Sequence, residues 1–256
     1  MPRELPHDEL GEGPALVLLH AGIADRRMWD EHLEPLAASG HRAVAVDLPG
    51  FGEAPIGAGP VAHWEDVVAT MDALGIARAA LAGSSFGGAV ALRLAATHPR
   101  RVSSLALFSS PTVPDAEPSP ELAAIWEREE AALAAGDLDA AVAAIVSGWI
   151  PASASAEIRD RIASAQRRNY ERHGAAEEPE WAPDPFDQDP SLAAAIEVPA
   201  LLAAGELDLP DFRDAAGDLA AKLPRGRQTV IAGCAHLAPL EAPERFRELL
   251  LEHLGA

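Results

Sequence analysis

The amino-acid sequence predicts an α/β fold, in which a doubly wound and mostly parallel sheet carries an inserted helical cap. Short apolar runs alternate with longer stretches of helical spacing as far as residue 108, and the alternation resumes at residue 198. This alternation is typical of a parallel sheet covered by helices on both faces. Residues 111–195 show helical spacing with no strand-like run. The predicted organisation is a core of residues 1–110 and 196–256, with residues 111–195 as the cap.

The first part of the core contains apolar runs of strand length separated by stretches of helical periodicity. The predicted strands are residues 15–19, 43–47, 79–83 and 102–108. The predicted helices are residues 26–38, 64–74 and 86–97, the last of which ends before Pro99. After the cap, the sequence predicts strands at 198–205 and 228–231 and a closing helix at 244–253.

The predicted cap begins with a proline-rich exit from the core, at Pro111, Pro114, Pro118 and Pro120. Helical spacing then covers residues 122–135, 138–150 and 157–173, and an acidic, proline-rich loop follows at 177–186. Open α/β sheets bind ligands outside the carboxyl ends of their strands. We therefore expect the cap to fold over that edge, although a helical extension packed elsewhere would give the same pattern.

Composition narrows the class of protein. The 256 residues include 40 Asp and Glu against 20 Lys and Arg, and the resulting charge of −20 argues against a nucleic-acid partner. Cys234 is the single cysteine, which excludes an intramolecular disulfide. Neither a signal peptide nor a segment of transmembrane length is apparent, so we expect a cytoplasmic protein without a membrane partner, as a monomer or homodimer. The near absence of lysine suggests a GC-rich bacterial source.

The most informative motif is Gly83-Ser84-Ser85-Phe86-Gly87, which joins a predicted strand to a predicted helix. A reversal this tight forces Ser85 into a strained backbone conformation with its hydroxyl exposed, and small neighbours relieve the crowding. This is the strand–turn–helix context of a nucleophile elbow. The motif therefore predicts a nucleophilic serine, with a helix N-cap as the alternative for Ser85.

A serine hydroxyl needs a base and an orienting acid to become a good nucleophile. His236 follows the predicted strand 228–231 on a glycine-containing loop, from which it can reach the carboxyl edge of the sheet. Asp208 follows the strand 198–205, but Glu206 and Asp211 lie close enough to serve as the acid instead. The order serine, acid, histidine is one of three known chain orders for such a triad. An exposed loop histidine is the alternative for His236.

Four motifs carry a resemblance to the α/β-hydrolase fold superfamily. They are LLHAG at 18–22 with Trp29, DLPGFG at 47–52, GSSFGG at 83–88, and GELD at 205–208 with GCAH at 233–236. The chain is most similar to the serine esterase and lactonase branch, which includes 3-oxoadipate enol-lactonases and carbon–carbon-bond hydrolases. Ala21 stands where many relatives have the glycine of a His-Gly pair, and Ser84 where His or Asn is frequent. These departures leave the branch open.

The resemblance implies a triad of Ser85, His236 and Asp208, and it favours Asp208 over the two neighbouring carboxylates. It also implies an oxyanion hole built from the backbone N–H groups of Phe86 and Gly22. Hydrogen-bond donors that are already in position stabilise the negative charge that develops on the carbonyl oxygen.

Other residues near these motifs have supporting roles in this interpretation. Ile23 is the alternative second donor and a candidate pocket residue. His20 is expected to brace its loop, Asp47 to anchor its own loop, and Cys234 to fill space.

Five aromatic residues of the cap either line the substrate pocket or pin the cap to the core: Trp126, Trp149, Tyr170, Trp181 and Phe186. Arginines in the cap suggest an anion site, such as a carboxylate-bearing lactone would need; they are Arg159, Arg161, Arg167, Arg168 and Arg172. Interleaved acidic residues favour a salt-bridged helix face instead. Neither metal-ligand spacing nor a phosphate-binding loop is present, so we expect no cofactor and no metal.

The predicted function is hydrolysis of a small-molecule carboxylic ester or lactone through an acyl-enzyme. The same triad could serve carbon–carbon bond hydrolysis or cofactor-free perhydrolysis, and a non-catalytic ligand-binding protein on this fold is a third hypothesis. A haloalkane dehalogenase is disfavoured, because its chemistry uses a carboxylate where this chain has Ser85.

Overall fold

A computed structural model of the protein describes residues 2–57, 59–112, 117–173 and 180–255. These residues contain a seven-stranded sheet in the order β1-β3-β2-β4-β5-β6-β7. The strands are β1 (His7–Leu10), β2 (Ala15–Leu19), β3 (Arg42–Val46), β4 (Ala79–Ser84), β5 (Val102–Phe108), β6 (Ala200–Gly205) and β7 (Gly226–Ile231). Only β1 runs antiparallel to its neighbour among these seven strands. The predicted fold class, a mostly parallel α/β sheet, is confirmed.

The α-helices within the described residues are α1 (Asp30–Ala38), α2 (His63–Ala73), α3 (Phe86–Thr97), α4 (Pro120–Ala134), α5 (Leu138–Trp149), α6 (Ala156–His173), α7 (Pro185–Gln188), α8 (Pro210–Lys222), α9 (Ala238–Glu241) and α10 (Pro243–Leu254). Helices α4 to α7 lie between β5 and β6 in the chain. None of the helices that the structure describes is both long enough and apolar enough to span a membrane.

The core strands read as continuous apolar runs because both faces of the sheet are buried. Along β2, Val17 and Leu19 join one hydrophobic cluster, whereas Leu16 and Leu18 join the cluster on the opposite face. This is the period of two that a strand imposes on its side chains. All four residues are at most 1% exposed. The predicted strands at 15–19 and 102–108 therefore match the structure residue for residue.

Several elements differ from the sequence-based expectation, among them the short helices α7 and α9, which the sequence did not indicate. The edge strand β1 was not predicted, because its sequence HDEL has no apolar run. Helix α8 was also not predicted. The predicted helix 26–38 begins instead as a 3-10 turn at Arg26–Trp29, whose Arg27 N–H bonds to the Asp25 carboxylate, and α1 follows from Asp30. Pro114 and residues 177–179 of the predicted cap lie outside the described residues.

The helices of the insertion, residues 111–195, are fastened to core loops by polar contacts from α6. Asn169 donates from its side-chain amide to Ala24 O at 3.2 Å and accepts the Gly52 N–H at 3.0 Å. Arg168 pairs with Asp25 at 2.9 Å. Further along the chain, the backbone of Val61 forms a β-bridge with Trp181. Treatment of the insertion as a separate cap domain stays a prediction.

The arginines of α6 are partnered, but by groups on other elements rather than by the interleaved acids of the helix. Arg161 pairs with Glu31 at 3.3 Å, Arg167 with Asp139 on α5, and Arg172 donates to Gly52 O at 2.9 Å. The salt-bridged interpretation fits these contacts better than an anion site does.

Candidate active site

Ser85 occupies the turn between β4 and α3 and has a backbone φ of 51° and ψ of −118°. Ser85 and Ser109 are the non-glycine residues with positive φ among the residues that the structure describes. Such a conformation costs on the order of 1–3 kcal/mol and persists only where the surroundings hold it. Here the Ser85 N–H donates to Phe108 O at 2.8 Å, and the Ser85 carbonyl accepts from Gly88 N–H at 2.8 Å. The predicted strained turn at Ser85 is therefore present.

The glycines around Ser85 let the turn pack directly against neighbouring backbone. A Cβ placed on Gly83 would lie 2.5 Å from Gly87 O, and one on Gly87 would lie 2.2 Å from Leu19 O. A Cβ on Gly88 would lie 2.7 Å from Ser110 Cβ. These distances are shorter than non-bonded atoms tolerate, so the turn requires glycine at these positions.

His236 and Asp208 form a buried pair at the ends of β7 and β6. His236 Nδ1 lies 2.9 Å from Asp208 Oδ1, and their side chains are 3% and 0% exposed. Because a carboxylate can only accept, Nδ1 carries the proton and Nε2 is left with a free lone pair. The imidazole lies 4.4 Å, between ring centroids, from both Trp149 and Phe212. The pair is thus arranged as a base oriented by an acid.

Glu206 and Asp211, the other two candidates for the acid, have other hydrogen-bond partners. Glu206 Oε2 accepts the Gly233 N–H at 3.0 Å, and Asp211 Oδ1 accepts the Ser119 N–H at 2.7 Å. Of the three acidic residues left open by the sequence, the structure brings Asp208 to His236.

Glu241 supports the histidine loop and was missed by the sequence analysis. Its carboxylate accepts the backbone N–H groups of Ala235 at 2.8 Å and Leu237 at 2.7 Å, the residues on either side of His236. Burial raises the pKa of the Glu241 carboxyl. Nothing in the local sequence separates Glu241 from an ordinary helix residue, because its role depends on the fold of the loop.

The two predicted oxyanion donors lie beside each other. Gly22 and Ile23 occupy the centre of a turn closed by Ala24 N–H donating to Ala21 O at 3.0 Å. Phe86 is the first residue of α3, so no carbonyl of that helix accepts its N–H. A Cβ on Gly22 would lie 3.4 Å from Phe86 Cβ, which brings the turn next to Ser85.

His20 and Asp47 hold the loops behind this turn. His20 Nδ1 donates to Ala21 O at 2.8 Å and its Nε2 accepts the Leu48 N–H at 3.0 Å, an arrangement for a neutral ring. Burial lowers the pKa of His20 accordingly. The Asp47 carboxylate accepts the backbone N–H groups of Arg26 and Glu53, both at 2.8 Å. Both residues therefore have the bracing contacts expected of them.

Ser85 and His236 both line a cavity of about 960 Å³. Other predicted site residues that line it are Gly22, Ile23, Phe86, Trp126, Trp149 and Trp181. Ligand cavities in proteins commonly measure about 300–1,000 Å³, so this one could enclose a small molecule.

Two predicted pocket aromatics are placed elsewhere. Phe186 is fully buried in the hydrophobic core, with the Arg93 guanidinium 5.9 Å from its ring centroid. Tyr170 is absent from the cavity wall, and its hydroxyl donates to Glu129 at 2.5 Å. The expectation that these two rings face the pocket is therefore wrong. The sequence alone does not show which aromatic side chain is buried in the hydrophobic core.

His63 lines the cavity and was not singled out from sequence. Its ring stacks on Trp181 at 5.3 Å between centroids and meets Phe86 edge-on at 4.9 Å. Burial lowers the pKa of His63 to about 4, so the ring is neutral near pH 7.

Cys234 is buried, and burial raises the pKa of its thiol, which makes it a poor nucleophile. Within the part of the chain that the structure describes, no group of three or more His, Cys, Asp or Glu residues is arranged to hold a metal ion.

Comparison with known proteins identifies the family of the chain. The family model described as the alpha/beta hydrolase fold matches residues 14–243. A pimeloyl-(acyl-carrier protein) methyl ester esterase of Aeromonas hydrophila is 30% identical over 97% of this chain and 98% of its own length. A 2-hydroxy-6-oxononadienedioate/2-hydroxy-6-oxononatrienedioate hydrolase of Pseudomonas putida is 29% identical over 98% of this chain and 91% of its own.

Among solved structures, the enol-lactonase from Burkholderia xenovorans superposes with a TM-score of 0.78 at 25% identity, covering 98% of this chain and 96% of that one. The resemblance drawn from the four sequence motifs is thereby confirmed. The chain belongs to the alpha/beta hydrolase family, a family of hydrolytic enzymes whose members similar to this chain include an esterase and an enol-lactonase.

Proposed function

We propose that this protein hydrolyses a carboxylic ester or lactone through an acyl-enzyme formed on Ser85. The observation that carries the proposal is the single cavity that exposes both the strained Ser85 turn and the buried His236–Asp208 pair. A strained serine, an oriented base and two adjacent backbone donors are the parts that acyl transfer needs.

In this mechanism Ser85 Oγ attacks the ester carbonyl while its proton passes to His236 Nε2. The backbone N–H groups of Gly22 and Phe86 donate to the oxygen that becomes negatively charged. Collapse breaks the carbon–oxygen bond, and the leaving alkoxide takes the proton from His236. Asp208 stabilises the imidazolium and holds its tautomer throughout.

Deacylation repeats these steps with water. His236 removes a proton from the water, the hydroxyl attacks the acyl carbon, and the Ser85 oxygen leaves with the proton from His236. One ester and one water give one carboxylic acid and one alcohol; a lactone gives a single hydroxy acid.

We further propose that the insertion at 111–195 acts as a cap that encloses the substrate. Trp126 on α4, Trp149 on α5 and Gln166 on α6 line the same cavity as Ser85. The core positions the carbonyl, and these helices surround the rest of the molecule.

Carbon–carbon bond hydrolysis is a second candidate, favoured by the likeness to the 2-hydroxy-6-oxononadienedioate hydrolase. The same serine and histidine would serve, so a substrate panel of aryl esters, lactones and 2-hydroxy-6-oxo dienoates decides between the two.

The test of the proposal compares Ser85→Ala with Ser84→Ala. The Ser84 side chain is buried and its hydroxyl has no hydrogen-bond partner among the described residues, which makes Ser84 a matched control. Ser85→Ala should abolish hydrolysis of short aryl esters and labelling by a fluorophosphonate, whereas Ser84→Ala should keep both. Labelling or turnover that survives in folded Ser85→Ala protein would remove the nucleophile assignment.

A further inference from the structure

His63 is a buried residue of the cavity wall, close to the proposed oxyanion hole. It is the first residue of α2, it lines the same cavity as Ser85, and it is 4% exposed. The Phe86 ring meets the imidazole edge-on at 4.9 Å between centroids, and the Trp181 ring stacks on it at 5.3 Å. Because Phe86 directly follows Ser85 in the chain, a small substrate held at Ser85 can extend through the cavity to His63.

The hydrogen bond of His63 determines which ring nitrogen carries the proton. Nε2 lies 3.2 Å from the carbonyl oxygen of Pro49. A carbonyl oxygen can only accept, so Nε2 carries the proton and donates it to this bond. Burial lowers the pKa of the ring to about 4, so the ring is neutral near pH 7 and Nδ1 keeps its lone pair. Nδ1 is therefore a hydrogen-bond acceptor.

This acceptor is unpartnered and accessible. Nδ1 has no hydrogen-bond partner among the described residues. The enclosed side-chain polar atoms that lack a partner include the Gln166 amide oxygen but not Nδ1, so Nδ1 keeps accessible surface. The contacts with Pro49, Phe86 and Trp181 hold the ring in this orientation. A donor must therefore come to Nδ1 from within the cavity.

The other uncharged side-chain acceptors of the described wall, apart from Ser85 and His236, are engaged or enclosed. Ser119 Oγ accepts the Leu122 N–H at 3.2 Å. Thr112 Oγ1 accepts from the Lys222 ammonium at 3.2 Å, and the Gln166 amide oxygen is the enclosed atom named above. The free imidazole nitrogen thus differs from these groups, and a neutral acceptor of this kind binds hydroxyl or amide N–H groups without requiring a charge on the ligand.

We infer that His63 Nδ1 accepts a hydrogen bond from a hydroxyl or amide N–H group of the substrate, so that this enzyme prefers esters that carry such a donor. The inference rests on the proposed ester hydrolysis and specifies its substrate class. It assigns the recognition of the donor to a residue of α2 in the core, whereas the proposed cap encloses the rest of the substrate.

The test uses 4-nitrophenyl esters of graded acyl chain length near pH 7, with the uncatalysed release of nitrophenol subtracted. At each length the chain ends in a hydroxyl, a carboxamide, a methyl or a fluorine. Fluorine is close to a hydroxyl in size and polarity, but it cannot donate. At one chain length a donor-bearing ester should exceed the fluorine and methyl esters in kcat/KM by about three- to tenfold, the value of one hydrogen bond between neutral groups. The hydroxyl and carboxamide esters show which of the two donors the site takes.

His63→Phe keeps a ring for the contacts with Trp181 and Phe86 and removes the acceptor. It should abolish the advantage of the donor-bearing ester while the methyl ester keeps its kcat/KM within about twofold, since the methyl group makes no hydrogen bond to lose. His98→Gln is the control, because His98 pairs with Glu65 on the same helix and lies outside the cavity wall. It should leave the preference for the donor unchanged.

Two results would overturn the inference. One is an equal kcat/KM for donor and fluorine esters at every chain length in the native enzyme, a comparison that needs no variant to fold and leaves the proposed hydrolysis intact. The other is a preference for the donor that persists in folded His63→Phe protein. If none of the esters is hydrolysed, the proposed function fails, and equilibrium binding of the same esters to Ser85→Ala protein still decides the preference. The donor-bearing ester should then bind more tightly, and equal binding would overturn the inference.

Discussion

Replacing Asp208 by asparagine tests the proposed triad where the sequence left three candidates open. The asparagine keeps the shape of the side chain and removes its charge. In the native protein His236 Nδ1 and Asp208 Oδ1 are 2.9 Å apart, and both side chains are buried. In the proposed mechanism His236 becomes positively charged when it accepts the serine proton, and it then faces the Asp208 carboxylate with little screening by solvent.

The size of the effect follows from that geometry. Two unit charges about 4 Å apart attract by about 4 kcal/mol at an effective dielectric constant of about 20. Loss of that attraction in the transition state corresponds to a factor of about 10³ in rate. An amide N–H facing the ring would also favour the wrong tautomer of His236, which extends the loss toward ~10⁴.

The assay is kcat/KM for an aryl ester whose hydrolysis depends on Ser85, together with a thermal unfolding curve for each variant. Glu206→Gln and Asp211→Asn are the controls, because these residues bond to the backbone of Gly233 and Ser119 instead. A loss in either control that equals or exceeds the loss in Asp208→Asn would refute the assignment of Asp208.

Three further predictions concern packing, pH and the cap. Gly87→Ala should lower the free energy of unfolding by about 1–3 kcal/mol, because the new Cβ would lie 2.2 Å from Leu19 O. Gly217→Ala should be tolerated, because no atom lies closer than 3.5 Å to the new Cβ. Equal melting temperatures for the two variants would contradict this prediction. Burial lowers the pKa of His32 to about 4, so only the unfolded chain gains a proton as the pH falls below about 6.5, and His32 should cost the fold about 2–3 kcal/mol between pH 7 and pH 4.5. Urea unfolding at both pH values should show a smaller acid loss in His32→Gln, and an identical loss would exclude this contribution. Trp126→Ala should change the preference among acyl chain lengths, because a methylene in an apolar pocket is worth about 1–3 kcal/mol; an unchanged chain-length profile of kcat/KM would argue against the cap.

The sequence predicts the parts of this fold that local pattern determines. Strands such as β2 and β5 are found to the residue, because burial on both faces makes them continuous apolar runs. The edge strand β1 depends on its pairing with β3, and its polar sequence carries no such signal. Ser85, Asp208 and His236 can likewise be found from the sequence, because each follows a predicted strand. The carboxyl ends of parallel strands meet at one edge of the sheet, so the three residues are expected there together.

The contents of the cavity wall could not be predicted in the same way. Trp181 lines the cavity and Phe186 enters the core, although only five positions separate them. That choice depends on contacts with residues distant in sequence, such as His63 and Arg93. Glu129 and Gln166, which both line the cavity, likewise belong to different helices whose packing no local pattern specifies.

Asn169 connects helix α6, which lines the cavity, to the turn that carries Gly22. Its amide joins helix α6 to the carbonyl of Ala24 and the N–H of Gly52, and Ala24 closes the turn that presents Gly22. A displacement of helix α6 should therefore be transmitted to the turn that carries the proposed oxyanion donor. If Gly22 is the oxyanion donor, as proposed, substrate fit and reaction rate cannot be adjusted separately along this helix, because a displacement that reshapes the cavity would also shift that donor. In the evolution of new substrate preferences, we expect change to accumulate on α4 and α5 while α6 is held.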